Sequence, residues 1–419
     1  MRRPFSGGLW KRLGDAWFIG TTREGKVLAV SILLTASVAS ASLDIPVFYL
    51  LCGLSALAAA SFVTAQLYRP RVALRGEVPE KAVAGELVAV TFSLVNTGRR
   101  TAYDVTADFP LLPEGVEMLE ESRLLPVLGP GESGAVSTTL RVLRRGLYVM
   151  PEARAYSTFP MNLYRVRARR AKKAARTHRL VAYPRFHPLT GIDVPVSARY
   201  QPGGIALSSH VGESPEYVGN RPYRPGDSPR HMDFRAWARL AAPVVREYHE
   251  EYYCRIALVL DTFVPGRRWS KRKEWANLEA AVSMAAAVAD ALAQGEYIID
   301  VFAAGPSLHV FRMGRHTAHF DSVLEILACV DACRTNPFDV VTPALADELT
   351  SISTVVCVLL DWDESREALV RVAAECGCSV KVAIIREGET TQPFDHVADL
   401  YRISVCAPRS VTDGMVENL

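Results

Sequence analysis

The sequence lacks the short motifs that most readily reveal an enzyme. It contains no glycine-rich phosphate-binding loop, no Gly-x-Ser-x-Gly nucleophile motif and no His-Glu-x-x-His zinc motif. No Ser/His/Asp or Cys/His grouping stands out either. These absences disfavour the familiar nucleotide hydrolases, serine hydrolases and zinc proteases, and we predict that the protein is not an enzyme.

Cysteine is scarce and unevenly placed. The chain has 8 cysteines, none of them in residues 68–171, although a secreted β-rich region would be a natural place for disulfides. Two pairs, Cys329 with Cys333 (four apart on one predicted helix) and Cys376 with Cys378, could supply four thiolates to zinc. Their spacings are not Cys-x-x-Cys and their neighbours are apolar. We therefore favour packing of reduced cysteines in a core.

An excess of one charge is also missing. The formal net charge of the 419 residues is +3, too small to imply nucleic-acid binding by the whole chain. One stretch, Arg165–Thr177, is strongly basic. It could contact anionic lipid headgroups or nucleic acid, or it could be a solvated linker. Lipid is the better functional interpretation if this stretch lies near a membrane, and we predict no nucleic-acid partner.

Two long stretches carry no charge at all. Val27–Leu43 and Ile45–Tyr68 are apolar and are separated only by Asp44. A membrane span needs about 20 apolar residues, so residues 27–68 predict a transmembrane helical hairpin. Both stretches are rich in Ala, Ser and Gly, which allow close helix packing. A signal peptide is the alternative for the first stretch, but the second follows at once.

The flanks of this hairpin are basic. Residues 1–26 contain six Lys and Arg residues, and Arg69, Arg71 and Arg75 follow the second stretch. Because cytoplasmic flanks are enriched in Lys and Arg, residues 1–26 are predicted to be a cytoplasmic basic N-terminus. The predicted location is the cell membrane (inner or plasma), with both termini in the cytoplasm and membrane lipid as one partner.

Residues 72–167 have the pattern of a β-domain. Short apolar or alternating stretches, such as Leu87–Val95 and Ala135–Leu143, are separated by turn-rich segments such as Leu128–Gly134. This spacing predicts a β-sandwich of immunoglobulin-like type without a catalytic cluster. Residues 168–211 are interpreted as a basic linker and connecting segment.

Residues 212–250 form the least ordinary segment. Tyr223–Asp227 reads as a turn, and Asp227 is well placed to cap a following turn that contains Arg230. Several arginines lie near acidic residues and could form bidentate pairs. The segment could be a salt-bridged structural loop, a polar recognition surface, or a hydrolytic site around Tyr223, Asp227 and Arg230.

Residues 251–419 alternate between strand and helix patterns. The predicted strands are Arg255–Leu260, Glu296–Ala304, Ser353–Leu360, Ser379–Ile385 and Tyr401–Val405, and the predicted helices are Lys271–Gln294, Phe320–Ala332 and Glu364–Cys376. Such alternation predicts an α/β domain with an open parallel sheet, Rossmann-like, and helices on both faces.

The segment at 212–250 resembles the signature of the bacterial "domain of unknown function 58" family. The residues that match the family pattern are Arg221, Tyr223, Gly226, Asp227, Arg230, Ala238 and Arg239. Phe234 stands where the family usually has Trp. The order of a membrane hairpin, a β-domain, the signature and a von Willebrand factor A-like domain also matches the family.

The resemblance implies an interaction or assembly role rather than a settled activity. It implies a MoxR-type AAA+ ATPase as the leading partner, with other membrane proteins or transglutaminase-like proteins as further candidates. On this basis Arg221, Tyr223, Gly226, Asp227, Arg230 and Arg239 are the candidate interaction residues.

A von Willebrand factor A-like domain would imply a divalent-metal site at the carboxyl ends of the strands. Asp261 matches the first aspartate of the Asp-x-Ser-x-Ser motif, but Phe263 and Pro265 replace both serines. Asp361 and Asp363 are further candidates. A hard cation such as Mg²⁺ needs several oxygen ligands, so the alternative is that these carboxylates cap loops or pair with arginines. A metal-dependent adhesion module and an uncharacterised hydrolase are the alternative functions.

Overall fold

The computed structural model describes residues 20–41, 45–120, 123–170, 178–193, 199–205, 211–225, 227, 229–249, 252–253, 255–264, 271–295, 297–304, 308–313 and 318–419. The chain divides into two compact units, Met1–Ala182 and Tyr183–Leu419. Each unit has its own core.

The first unit begins with two apolar helices, α1 (Arg23–Ala41) and α2 (Ile45–Leu67). Their side chains are mostly exposed, and both helices are long and apolar enough to cross a membrane. At a rise of 1.5 Å per residue, the 23 residues of α2 span about 34 Å, close to the thickness of a bilayer core. The predicted helical hairpin is confirmed, and it indicates a membrane anchor.

The strands of the first unit form three sheets. The five-stranded sheet has the order β11 (Arg169–Arg170), β1 (Arg71–Glu77), β3 (Leu87–Asn96), β7 (Ser133–Val142) and β5 (Val116–Glu120). The four-stranded sheet has the order β10 (Val166–Arg167), β9 (Arg154–Ser157), β4 (Ala102–Asp108) and β6 (Leu125–Leu128). The three-stranded sheet has the order β2 (Lys81–Val83), β12 (His178–Tyr183) and β8 (Gly146–Met150).

Alternating side chains of these strands build one core. In β3 every second residue is buried, as a half-buried strand requires, and Phe92 meets Phe109 edge to face at 5.4 Å between ring centroids. The prediction of a β region is confirmed at the level of several packed sheets. The structure differs from the predicted linker at 168–211, because β11 and β12 lie within that range and pair with strands of the β region.

The second unit contains a six-stranded sheet. Its order is β19 (Leu308–Met313), β18 (Ile298–Ala304), β17 (Arg255–Leu260), β20 (Thr354–Leu359), β21 (Ser379–Ile385) and β22 (Ile403–Cys406). Five strands (β17, β18, β20, β21 and β22) are parallel, whereas β19 is antiparallel to β18. The prediction of a wholly parallel sheet was therefore wrong at one edge, where a short return strand needs no helical crossover.

Helices cover both faces of this sheet. They are α4 (Lys271–Gln294), α5 (Ala318–Cys329), α6 (Phe338–Ala346), α7 (Glu364–Glu375) and α8 (Pro408–Thr412). One face packs on α6 and α7 through a fully buried cluster that includes Trp362. On the other face α4 packs with α5 and α8 and contacts four strands. By length and composition α4 could also cross a membrane, but 61% of its apolar window is buried within the fold.

The remaining elements of the second unit are short pairs and one small helix. β13 (Arg199–Ile205) pairs with β16 (Tyr252–Tyr253), and β14 (Val211–Pro222) pairs with β15 (Val244–His249). Between β14 and β15 lie a 3-10 helix (Pro229–His231) and α3 (Phe234–Leu240). These connecting elements and the end of β14 carry the residues of the predicted signature.

Candidate functional site

The signature residues lie at the end of β14 and in the partly helical segment that connects β14 to β15. The antiparallel register of β14 and β15 ends at Pro222 opposite Val244, so the chain leaves and re-enters the ribbon at one point. Just beyond it, the backbone N–H of Tyr223 donates to Pro243 O at 2.9 Å. The connecting segment is therefore closed at its base, which limits how far its residues can move.

An arginine–carboxylate pair holds the turn that follows. Arg221 Nη1 and Nη2 donate to the two oxygens of Asp227 at 2.7 and 2.8 Å, a bidentate geometry. The backbone N–H of Arg224 adds a third bond to this carboxylate at 2.7 Å. The hydrogen bonds from Arg221 and Arg224 lower the pKa of Asp227 to about 2. Asp227 thus closes its own turn instead of capping the next one, contrary to our expectation.

A second aspartate fixes α3. Asp233 is the N-cap of α3, and its Oδ1 accepts from the backbone N–H groups of Arg235 and Ala236, each at 3.0 Å. Its Oδ2 accepts from Asn220 and Arg246, each at 3.3 Å, so both paired strands are tied to the helix start. These bonds lower the pKa of Asp233 against the opposing effect of its desolvation. The orientation of α3 is therefore set by the ribbon.

The outer side of α3 exposes large apolar side chains. Phe234, Trp237 and Leu240 are 66%, 37% and 61% exposed, and the first two rings stack with centroids 6.1 Å apart. Residues three apart lie on one face of a helix, so the three form one stripe. We call this stripe, together with the exposed Arg235 and Arg239, the signature face.

The candidate interaction residues are thus divided by role. Arg221 and Asp227 build the turn, and Tyr223 closes its base through its backbone. Arg230 and Arg239 are exposed and pair with no acidic side chain in the described part of the chain. Gly226 lies outside the described residues.

Proton-transfer chemistry fits this segment poorly. Both oxygens of Asp227 are engaged by Arg221 and Arg224, and a carboxyl with a pKa of about 2 is a weak base. The geometry is that of a loop held closed by a bidentate ion pair.

The strand-end carboxylates lie elsewhere, around a buried arginine. Asp261 follows β17, and its Oδ2 accepts from Arg366 Nε and Nη2, both at 2.7 Å. The backbone N–H groups of Leu360 and Phe263 donate to the same carboxylate at 2.9 and 2.8 Å. Burial raises the pKa of Asp261, and Arg366 and these N–H groups oppose that shift.

Arg366 is enclosed by aromatic rings as well as by acids. Its side chain is 3% exposed, and its guanidinium carbon lies 5.6 Å from the Phe263 ring centroid and 5.2 Å from that of Phe338. It also pairs with Asp363, which caps α7 by accepting from the N–H of Arg366 at 3.0 Å. The positive charge beside Asp261 and Asp363 is therefore the guanidinium of Arg366.

Asp361 faces different groups. It pairs with Arg386 and accepts from the backbone N–H and hydroxyl of Thr391 at 2.9 and 2.7 Å. Burial disfavours its ionised form, but the bonds from Thr391 and Trp362 and the charge of Arg386 outweigh it, so the pKa of Asp361 is lowered. Among the described residues no cluster of three or more His, Cys, Asp or Glu side chains is suited to a metal. A cation at Asp261 would have to displace Arg366.

The cysteine expectations are corrected in two respects. α5 ends at Cys329, so Cys333 lies beyond the helix, where its N–H donates to Thr262 O at 2.7 Å. Cys333 and Cys378 are buried as expected, whereas Cys329 and Cys376 are exposed. The pairs do not converge on one thiolate site.

Two features of the second unit escaped sequence reasoning. The pairing of Arg366 with acidic residues was not predicted, because Arg366 lies within a helix pattern. Its position three residues after Asp363 could have indicated a local pair. The exposure of Trp237 and Leu240 had no sequence signal, because apolar residues in a short helix usually face a core.

Comparison with known proteins supports the signature assignment. Residues 219–386 match the family model described as "Protein of unknown function DUF58". No curated protein matches the chain. Three solved structures show weak similarity, all with TM-scores below 0.2.

The first of these is a CARDB domain from Pyrococcus furiosus, with 12% identity and a TM-score of 0.16, covering 27% of this chain and 91% of that domain. The others are the secreted serine protease VesC and the protease VesB, both of Vibrio cholerae. VesC has 11% identity and a TM-score of 0.19, covering 36% of this chain and 31% of its own. VesB has 14% identity and a TM-score of 0.17, covering 29% of this chain and 34% of its own. The chain spans about a third of each protease.

Proposed function

Because residues 219–386 belong to the DUF58 family, we propose that the protein is a membrane-anchored interaction or assembly factor. Its signature face would dock a MoxR-type AAA+ ATPase, the partner that the family resemblance implies. The observation that carries the proposal is the exposed stripe of Phe234, Trp237 and Leu240 on a helix whose start is bonded to both strands of the β14–β15 ribbon.

The chemistry of this face suits a protein partner. Aromatic residues and arginine are enriched in the energetically dominant parts of interfaces. The exposed Arg235 and Arg239 lie on the same short helix and add positive charge to it. The complementary surface on the ATPase would be an apolar groove rimmed by carboxylates.

Rigidity adds to this suitability. A preorganised surface loses little conformational entropy on binding. The Arg221–Asp227 pair and the Asp233 cap fix the loop and α3 before any partner arrives. The signature residues would then serve mainly to shape the contact surface, while the stripe makes the contact.

The proposal includes the finer architecture and orientation. We assign the β region as immunoglobulin-like, and the second unit as a von Willebrand factor A-like domain in which Arg366 takes the place of a cation beside Asp261.

The basic residues Arg23, Lys26 and Arg69 lie at the paired ends of α1 and α2. This favours an anchor in the cell membrane with both termini of the chain in the cytoplasm. Protease added outside intact cells should then leave the second unit uncut.

A binding experiment with full-length protein in detergent tests the docking face. We expect Trp237→Ala and Leu240→Ala each to weaken binding to the purified MoxR-type ATPase of the same genome at least tenfold. Leu400→Ala is the matched control, because Leu400 is 69% exposed in the same unit. Equal binding by all three variants, or no binding by the unaltered protein, would refute the proposal.

A further inference from the structure

A second site lies in the first unit, where the helical hairpin meets the β region. A cavity of about 370 Å³ opens between the end of α2, the residues before α1 and the segment around β10. The side chains that give it its character are Phe62, Gln66, Arg69, Tyr164, Arg165 and Arg167. The cavity is independent of the signature face.

The two sides of the cavity are held together by hydrogen bonds between the β region and the start of the hairpin. The N–H of Thr22 donates to Leu163 O at 3.2 Å, and the N–H of Arg165 donates to Gly20 O at 3.0 Å. A Cβ at Gly25 would meet Leu163 O at 2.0 Å, so the backbones touch directly where α1 begins. This packing holds the arginine-bearing segment against the helix ends.

The cavity lies at the level where lipid headgroups would be if the two helices cross a membrane. Gln66 is the penultimate residue of α2, and Gly20 and Thr21 lie two to three residues before the start of α1. Both helices are long enough to span the bilayer, so their paired ends lie at its surface. Aromatic rings cluster at this level, with Phe62 on Tyr164 at 5.5 Å between centroids. Such rings are typical of the membrane–water interface.

The charge of the cavity is uniformly positive. Among the residues that the structure describes, its lining contains three arginines and no acidic side chain. Arg165 lies 3.7 Å from Asp108, whereas Arg69 bonds through Nε to Arg167 O at 2.6 Å. In the described part of the chain neither Arg69 nor Arg167 has an acidic partner. Planar guanidinium groups are well suited to phosphate oxygens.

We infer that this cavity binds the phosphate-containing headgroup of an anionic phospholipid at the membrane surface. The acyl chains would lie along α2 below Phe62, and the headgroup phosphate would face Arg69, Arg165 and Arg167. Basic pockets beside transmembrane helices recognise anionic headgroups in this way. Binding would fix the β region close to the bilayer.

Lipid titration of the full-length protein in detergent, followed by native mass spectrometry, tests this inference. We expect phosphatidylglycerol to bind more tightly than phosphatidylcholine. The double variant Arg69→Gln/Arg167→Gln should lose at least about tenfold in phosphatidylglycerol affinity. The control Arg71→Gln/Arg75→Gln removes the same charge from exposed positions of β1 and should change affinity less than twofold.

Two further measurements keep the result decisive. Gln66→Trp fills the cavity without changing its charge and should also abolish the preference, even if the arginine variants fail to fold. Competition of bound lipid with glycerol phosphate and with inorganic phosphate shows whether the cavity recognises a lipid headgroup or any soluble phosphate. Displacement of lipid only by other anionic lipids supports the inference, whereas binding of soluble phosphate alone, or equal loss in the control, overturns it. ATPase docking should be unaffected in every variant.

Discussion

The Arg221–Asp227 and Arg366–Asp261 pairs join the same two side-chain types at nearly the same distances, yet their surroundings are opposite. The first pair lies in the signature loop with its side chains 24% and 17% exposed, and the second is enclosed between a strand end and two aromatic rings with its side chains 3% and 0% exposed. A pair that solvent reaches contributes less to stability than its short distances suggest, because water and salt screen it. Breaking a buried pair leaves an uncompensated charge. Burial therefore assigns the first pair to shaping a surface and the second to holding a fold.

The largest expected effect is on the buried pair. Arg366→Ala leaves Asp261 buried without its cation, so we expect it to lower the free energy of unfolding by about 3–5 kcal/mol. Chemical unfolding of the full-length protein in detergent, followed by tryptophan fluorescence, measures this. Arg371→Ala, on an exposed position of the same helix, is the control and should stay within about 0.5 kcal/mol of the unaltered protein.

A double substitution sharpens the result. Asp261→Asn with Arg366→Met removes both charges and should destabilise less than Arg366→Ala alone, because no unpaired charge stays buried. A shift for Arg366→Ala no larger than that for Arg371→Ala would show that the two pairs do not differ in the way proposed.

The partly exposed Arg221–Asp227 pair should affect binding more than stability. Asp227→Asn loses the charged bidentate contact to Arg221, so the loop beneath α3 is no longer held in one geometry. We expect at least about a tenfold weaker affinity for the ATPase partner with little change in the unfolding midpoint. Asp399→Asn, at another exposed aspartate of the second unit, serves as the control for lost charge. A large fall in the unfolding midpoint would contradict this assignment.

The end of α3 offers a smaller test of how firmly the signature face is held. Ala241 follows α3 with φ of 53°, a left-handed conformation that glycine adopts without steric cost. Ala241→Gly should therefore stabilise the region by roughly 0.5–1 kcal/mol. Ala238→Gly, inside the helix, should destabilise it by a similar amount. Amide hydrogen exchange in α3 measures both, and equal signs for the two would contradict the assigned cap.

The smallest expected effect is a loss of the contribution of the Arg221–Asp227 pair at strongly acidic pH. The pKa of Asp227 is lowered to about 2 in the folded protein, below its ordinary value of 3.8. A lowered folded pKa means that the contribution of the pair is complete above about pH 4 and is lost as the pH falls through 2. Carboxyl NMR should show a midpoint near 2, and in Arg221→Gln it should move up towards the ordinary value. An unchanged midpoint in that variant would argue against the pair.

Periodic patterns were predicted well from sequence. The observed bounds of β17, α4 and β21 coincide with the predicted ones, because long apolar repeats and terminating glycine or aspartate residues define them locally. The edge strand β19 and the helix α6 were missed, since β19 is only six residues long and the nine-residue α6 contains Pro343, which usually marks a break. Short β strands such as β5 and β6 were also missed, because their burial is decided by the sheets they join.

The amino-acid sequence by itself determined the apolar hairpin and the alternation of strands and helices. These depend on composition and on repeats along the chain, which need no distant partner. Only the tertiary structure decided that Arg366 lies against Asp261, that Trp237 faces outward, and that three arginines converge beside the hairpin. Each of these depends on residues far apart in sequence, whose burial and pairing are set by packing in space.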